Sequence, residues 1–234
     1  MKTLKTFGLL LYAILLSMAS YAQRNDLLLT NSQSITENPY EGIEGSPFYF
    51  DNWQKGKIYP ISDKEPIEEV LLNFNGYTQS FEIKKDSRYI ALDEQWYTTV
   101  EIEKDGTLLS YKKGLLPKHN NQFTRLVFQG NSFQVVQDFT VSLLTREQQE
   151  YAKVKEVQRF NSHRNYYLIK NGKSKLLKLK KKAILGFFPR HKTTLEKYAK
   201  KKRLKWSSEK DMIHLFQYYE ELTHSDALSS TGEG

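Results

Sequence analysis

Four dipeptides of turn-forming residues constrain the fold of this chain more than any other feature. Asn75-Gly76, Asp105-Gly106, Gly130-Asn131 and Asn171-Gly172 each lie between two runs of alternating apolar and polar residues. A two-residue hairpin turn requires positive φ, which glycine and asparagine adopt at low cost. The pattern predicts sequential antiparallel strands, the first pair formed by residues 68–74 and 77–84. We expect a meander or a partly closed barrel.

The periodicity changes from strand to helix after about residue 178. Residues 145–160 fit either a strand or a helix, and the antiparallel turns around them favour a strand. A short helix is predicted at 180–187. Thr193 and Glu196 predict a capping box at the start of a second helix, and Ser208 and Asp211 predict another before a third. The fold class is therefore a β-rich α+β protein that ends in a group of two or three helices.

These patterns divide the chain into five predicted segments. They are a signal peptide (1–22), a flexible arm (23–44), an antiparallel β-domain (45–178), a basic α-helical element (179–223) and a disordered tail (224–234).

The N-terminal residues have the order of a secretory signal peptide. Lys2 and Lys5 precede an apolar run at 7–18, and Ser20-Tyr21-Ala22 offers small residues to a signal peptidase. We expect cleavage after Ala22 and export to the periplasm or the cell exterior. The apolar run is shorter than the roughly 20 residues that cross a bilayer, so we expect no transmembrane segment in the mature chain. Because the chain has 0 cysteines, disulfides, a lipid-modified cysteine and thiolate chemistry are excluded.

The positive charge of the chain is concentrated in one segment. Residues 170–205 contain 15 lysines and arginines against one acid, Glu196, a net charge of +14. The whole chain carries +8, and removal of the two signal-peptide lysines leaves +6, so the rest of the mature chain carries −8. The sequence thus predicts an acidic body with one strongly basic element.

This basic element is the candidate contact surface for an anionic partner, either an envelope component or a protein. The candidate residues are Lys178, Lys180, Lys181, Lys182, Lys200, Lys201, Lys202, Arg203 and Lys205. A solvated helix face, or a counter-charge for the acidic body, would give the same pattern. Export removes the chain from nucleic acid, so no nucleic-acid partner is expected.

No motif of an established chemistry occurs. The histidines lack metal-ligand spacing, no GxSxG, P-loop or GxGxxG sequence follows a strand, and we assign no catalytic residue, metal or cofactor.

Glu101 and Glu103 are two strand positions apart, roughly 6.6 Å, a spacing that permits glycoside hydrolysis. Alternating glutamates on a solvent-facing strand have the same spacing. Trp53 and Trp96 are candidates for stacking on a ligand, although aromatic residues of β-proteins more often lie in the core.

Several segments resemble small secreted proteins of Bacteroidota that have no established activity. The resemblance rests on the signal ending in YAQ, on GSPFYFDNWQKGKIYP, on YYLIKNGKSKLLKLKKKAILGFF and on DMIHLFQYYEEL. It implies an envelope or extracellular location and supplies no site residues.

The sequence favours a non-catalytic exported envelope protein, binding or structural, whose basic helices contact an anionic partner. Two alternatives remain: a hydrolase of envelope or extracellular glycans, and a subunit of an envelope assembly.

Overall fold

A computed structural model describes residues 32–35, 39–62, 65–85, 88–119, 121–150 and 153–231. The predicted signal peptide and its cleavage site lie outside the described residues. So do the arm as far as residue 31 and the last three residues of the predicted tail.

The described residues form one antiparallel sheet of 11 strands followed by three α-helices, which confirms the predicted β-rich α+β class. The strands are β1 (Ser32–Ile35), β2 (Gln54–Pro60), β3 (Ile67–Asn75), β4 (Ser80–Lys85), β5 (Arg88–Leu92), β6 (Tyr97–Lys104), β7 (Thr107–Lys112), β8 (Thr124–Gln129), β9 (Gln134–Glu150), β10 (Lys153–Lys170) and β11 (Lys173–Leu177). Their spatial order is β1-β5-β4-β3-β2-β6-β7-β8-β9-β10-β11, so the sheet is open, with β1 and β11 at its edges. Residues 145–150 and 153–160 belong to β9 and β10, as the strand interpretation predicted.

Two of the four turn dipeptides form the predicted two-residue turns. They are Asp105-Gly106 and Asn171-Gly172, and each connects adjacent strands. In both turns the first residue has a φ of 50° and the glycine a φ of 70°. The other two dipeptides open four-residue loops, 76–79 and 130–133, because Asn75 pairs with Ser80 and Gln129 with Gln134. All four hairpins exist, but the prediction of a two-residue loop is wrong for these two.

The sheet curls, so that strands far apart in its order contact one another. β4 and β7 are four places apart, about 19 Å in a flat sheet. The rings of Phe81 and Tyr111 on these strands nevertheless lie 5.1 Å apart, centroid to centroid. Phe74 on β3 likewise reaches Phe139 on β9 at 6.3 Å. The residues enclosed by this curl form the first hydrophobic core, here called the sheet core.

Three helices cover the end of the sheet that β8, β9 and β10 form. They are α1 (Lys181–Gly186), α2 (Lys192–Lys201) and α3 (Glu209–Thr231). Their buried side chains, such as Leu195 and Phe216, pack on Phe128, Val135 and Leu168 of the strands. This second cluster is here called the helix core.

The starts of the helices agree only in part with the predicted capping boxes. Ser208 caps α3, because its hydroxyl accepts a hydrogen bond from the amide of Asp211 at 3.3 Å. The capping box at Thr193 is wrong, since a 3₁₀ turn ending at His191 leads directly into α2 and places Thr193 inside the helix. Glu196, its predicted partner, pairs with Lys181 instead.

Both ends of the described chain contain more regular structure than the sequence predicted. Ser32–Ile35, part of the predicted arm, pairs with β5 and becomes an edge strand. Helix α3 extends to Thr231 and includes most of the residues assigned to a disordered tail. Residues 224–231 contain neither glycine nor proline, so nothing in their sequence ends the helix before Gly232.

Candidate functional site

All nine candidate basic residues are exposed, and they form two clusters, one at the start of α1 and one at the end of α2. The first cluster surrounds the start of α1 and contains Lys178, Lys180, Lys181 and Lys182. The second follows the end of α2 and contains Lys200, Lys201, Lys202, Arg203 and Lys205. The two clusters are neighbours in the fold, because Lys181 of the first pairs with Glu196, which lies one helical turn before Lys200 of the second.

The first cluster borders a groove between α1 and α2 with a cavity volume of about 620 Å³. Lys181, Lys182 and Lys192 stand around it, and Leu185, Gly186 and Pro189 form an apolar floor. Glu196 is the acid at its rim; its carboxylate accepts a hydrogen bond from the Lys181 ammonium, which holds the pKa of Glu196 below its usual value. The rim therefore has a net charge of +2. Lys192 was not among the predicted contact residues, because the sequence did not reveal how α1 and α2 face each other.

The second cluster is positioned by the way in which α2 ends. Arg203 has a φ of 55°, and the amide of Leu204 donates to the carbonyl of Ala199 at 2.9 Å, while the Arg203 amide donates to Lys200. These bonds form a Schellman motif with arginine where glycine is usual. The motif turns the chain sharply, so the basic side chains crowd around the negative end of the helix dipole, which favours positive charge.

The two candidate stacking residues do not form one platform. Trp53 is half-buried between Phe48 and Tyr89, with ring centroids 6.0 Å and 5.5 Å away. Trp96 is 46% exposed and ends a 3₁₀ turn before β6. None of the ring contacts found in the described ranges joins Trp53 to Trp96. Each tryptophan would therefore have to contact a ligand separately.

The predicted pair Glu101 and Glu103 lies on β6 beside a small groove of about 250 Å³. The Glu101 carboxylate accepts a hydrogen bond from the hydroxyl of Tyr59 at 2.7 Å. Lys55, Lys57 and Glu69 share the groove, which therefore carries mixed charge. The structure brings the two carboxylates to one groove, but one of them already has a protein partner.

A larger acidic cleft, of about 590 Å³, was not predicted from the sequence. Glu82, Asp93 and Glu94 line it together with Tyr40. Burial raises the pKa of Glu94 to about 7, against the opposing effect of Lys113, and the buried Oε1 atom of Glu94 has no hydrogen-bond partner. Burial also raises the pKa of Glu82, which accepts a hydrogen bond from Asn75 at 2.6 Å. No sequence pattern indicated this cleft, because Glu82 occupies a strand position that alternation assigns to solvent.

A buried polar network joins the helices to the sheet at the boundary between the two cores. Arg125, 5% exposed, donates to Gln137 at 3.1 Å and forms an ion pair with Glu209 in the first turn of α3. Glu209 also accepts from the hydroxyl of Tyr166 at 2.7 Å, and Tyr49 donates to Gln137 at 2.8 Å. These five residues are called the seam below. They are paired with one another, so the seam fixes the position of the helices that carry the basic clusters.

Within the described ranges, no group of three or more His, Cys, Asp or Glu side chains is placed to hold a metal ion. The helices of these ranges contain no stretch long and apolar enough to cross a bilayer. Comparison of the chain with models of protein families, with curated proteins and with solved structures finds no match. The resemblance to secreted Bacteroidota proteins therefore stays a prediction.

Proposed function

We propose that this chain is an exported, non-catalytic envelope protein that binds an anionic partner through the basic clusters of its C-terminal helices. One observation carries the proposal. All nine predicted basic residues are exposed, and within the described part of the chain Lys181 is the one that forms an ion pair, with Glu196. A basic element that served mainly as a counter-charge would instead be paired with the acidic body.

The charge distribution supports an external partner for a second reason. The ion pair that joins α3 to the sheet uses Arg125 of β8 and Glu209, and neither residue belongs to the basic clusters. Exposed charges that make no internal contacts contribute little to stability. They do generate a positive potential that attracts anions, and this attraction is screened by salt.

The test is a triple reversal, Lys200→Glu, Lys201→Glu and Lys202→Glu, in the mature chain. Binding to isolated envelope fractions should fall at least tenfold, and added salt should weaken wild-type binding in the same direction. A matched control reverses Lys55, Lys118 and Arg146, three exposed basic residues outside the C-terminal helices, and should bind like the wild type. Binding that is indifferent to the triple reversal and to salt would contradict the proposal, and so would a large loss of thermal stability in the triple variant.

A glycan hydrolase is the second candidate, and the acidic cleft favours it. A carboxyl group with a pKa of about 7 is suited to act as a general acid at neutral pH. Release of reducing ends from envelope glycans, abolished by Glu94→Gln, would support hydrolysis. Equal release by the wild type and this variant would exclude Glu94 as the acid.

A further inference from the structure

The groove between α1 and α2 combines two properties that a site for a simple anion does not need together. Its rim carries Lys181, Lys182 and Lys192, while its floor is formed by Leu185, Gly186 and Pro189. Its volume of about 620 Å³ lies within the range of about 300–1,000 Å³ that is usual for small-ligand sites.

The rim keeps positive charge available for a ligand. Lys181 is paired with Glu196, whose charge also attracts Lys192, but neither Lys182 nor Lys192 lies within ion-pair distance of an acid that the structure describes. Both are exposed, and they belong to different helices, Lys182 to α1 and Lys192 to α2. An anionic group at the mouth of the groove can therefore contact ammonium groups of both helices.

The floor indicates what is attached to that anionic group. Inorganic phosphate or a sulfated glycan would use the lysines and leave the apolar floor in water. Leu185 is 1% exposed and only backs the floor, whereas Gly186 and Pro189 are exposed. An alkyl chain laid along Gly186 and Pro189 would remove apolar surface of both partners from water, which is favourable in proportion to the area. Lysine side chains at such a rim can also pack their apolar stems on the chain while their charged ends contact the head group.

We infer that the α1–α2 groove binds an anionic amphiphile, with its phosphate or carboxylate head group at Lys182 and Lys192 and its alkyl chain on Gly186 and Pro189. The inference rests on the proposed function, because it names the chemical class of the anionic partner for the first basic cluster. A membrane phospholipid and a free single-chain lipid share this chemistry.

Gly186 allows the groove to be filled without disturbing the protein. A Cβ atom built at Gly186 meets nothing within 4 Å, and its φ is not in the left-handed region. Gly186→Leu should therefore place a side chain where the alkyl chain is expected to lie. Thr194→Leu is the matched control, since it adds the same side chain at an exposed position of α2 that does not line the groove.

The experiment measures binding of dodecyl phosphate, below its micelle concentration, and of inorganic phosphate to the mature chain by calorimetry. Dodecyl phosphate should bind at least tenfold more tightly than inorganic phosphate. Gly186→Leu should weaken only dodecyl phosphate, by at least tenfold, and Thr194→Leu should match the wild type. The double variant Lys182→Glu and Lys192→Glu should weaken dodecyl phosphate by a similar factor through the head group. Equal affinity for the two probes, or dodecyl phosphate binding unchanged by Gly186→Leu, would overturn the inference.

Vesicles distinguish the two sources of the amphiphile. If the groove takes a chain from a bilayer, Gly186→Leu should weaken binding to phosphatidylglycerol vesicles, with phosphatidylcholine vesicles as the uncharged control. If it takes only a free lipid, vesicle binding should be unchanged while dodecyl phosphate binding is lost.

The triple reversal at 200–202 separates failure of this inference from failure of the proposed function. Envelope binding that depends on the triple reversal, with dodecyl phosphate binding unaffected by Gly186→Leu, would refute the groove alone. Envelope binding that ignores the triple reversal and salt, with dodecyl phosphate binding that still requires Gly186, would refute the wider proposal and keep the groove.

Discussion

Single residues determine how closely the β3–β4 hairpin approaches β9. Gly76 does not have the positive φ that its dipeptide predicted; instead, a Cβ atom at this position would lie 2.5 Å from the ring of Phe139 and 2.8 Å from Val141. The Asn75 side chain, fully buried, accepts hydrogen bonds from the amides of Tyr77 and Thr78 and so opens the loop to four residues. The sequence predicted the hairpin but not the contact with β9, which depends on the curl of the sheet.

Gly76→Ala should therefore destabilise the protein through overpacking, by about 1–3 kcal/mol. Gly106→Ala is the comparison, because a Cβ atom there meets nothing within 4 Å and costs only the strain of a φ of 70°, about 1 kcal/mol. Urea unfolding of the two variants measures both effects. A smaller loss at Gly76 than at Gly106 would show that β9 moves away to make room.

Glu94 should make the free energy of unfolding decrease as the pH rises towards neutrality. Its pKa is raised from 4.5 to about 7 in the folded protein, so its contribution is fully present below pH 4.5 and is lost as the pH rises through 7. Glu94→Gln cannot ionise, so its melting temperature relative to the wild type should rise between pH 4.5 and pH 8. Lys113 and Asp93, the charged neighbours, are retained in the variant. A difference that stays constant over this range would contradict burial as the cause.

Secondary-structure elements were predicted well where the sequence pattern is local, and less well where contacts with another element set the position of the element. The turns at Asp105-Gly106 and Asn171-Gly172 require only their own backbone, and both were predicted. The cap at Thr193 failed because the 3₁₀ turn before α2 shifts the helix start, and Glu196 pairs across to α1. The groove between α1 and α2 was missed for the same reason, since it exists only when two helices are placed side by side.

The end of α2 offers a prediction at this scale. Arg203 has a φ of 55° in the Schellman motif, where a non-glycine residue is strained by about 1–2 kcal/mol. Arg203→Gly should stabilise the protein by about 0.5–1 kcal/mol, because the greater flexibility of glycine in the unfolded chain offsets part of the gain. The free energy of unfolding in urea measures this. Arg203→Ala, which keeps the strain and removes the charge, is the control and should give no such gain.

For the whole molecule, the sequence predicted the order of strands and helices and the position of the basic charge. It allowed a partly closed barrel, but it did not predict which strands the curl of the sheet brings together, that the seam forms or that the acidic cleft opens. These features depend on contacts between residues far apart in the chain, such as Phe81 with Tyr111 and Arg125 with Glu209. Alternation indicates which face of a strand is polar, and it cannot indicate that residues far along the chain will bury that face, as happens at Glu82, which is 4% exposed and lies beside Tyr40.

The predicted boundary at residues 178–179 separates strands from helices, but it does not separate two folding units. On one face of β9, Val135 belongs to the helix core and Phe139 and Val141 to the sheet core, with Gln137 of the seam between them. A chain cut after residue 178 would expose Phe128, Phe133 and Leu168 to water, so we expect it to aggregate. The intact chain should melt in one transition, with a calorimetric enthalpy equal to the van't Hoff enthalpy, and two resolved transitions would contradict this. A binding event on the basic helices would then be transmitted to the whole protein as a rise in its single melting temperature.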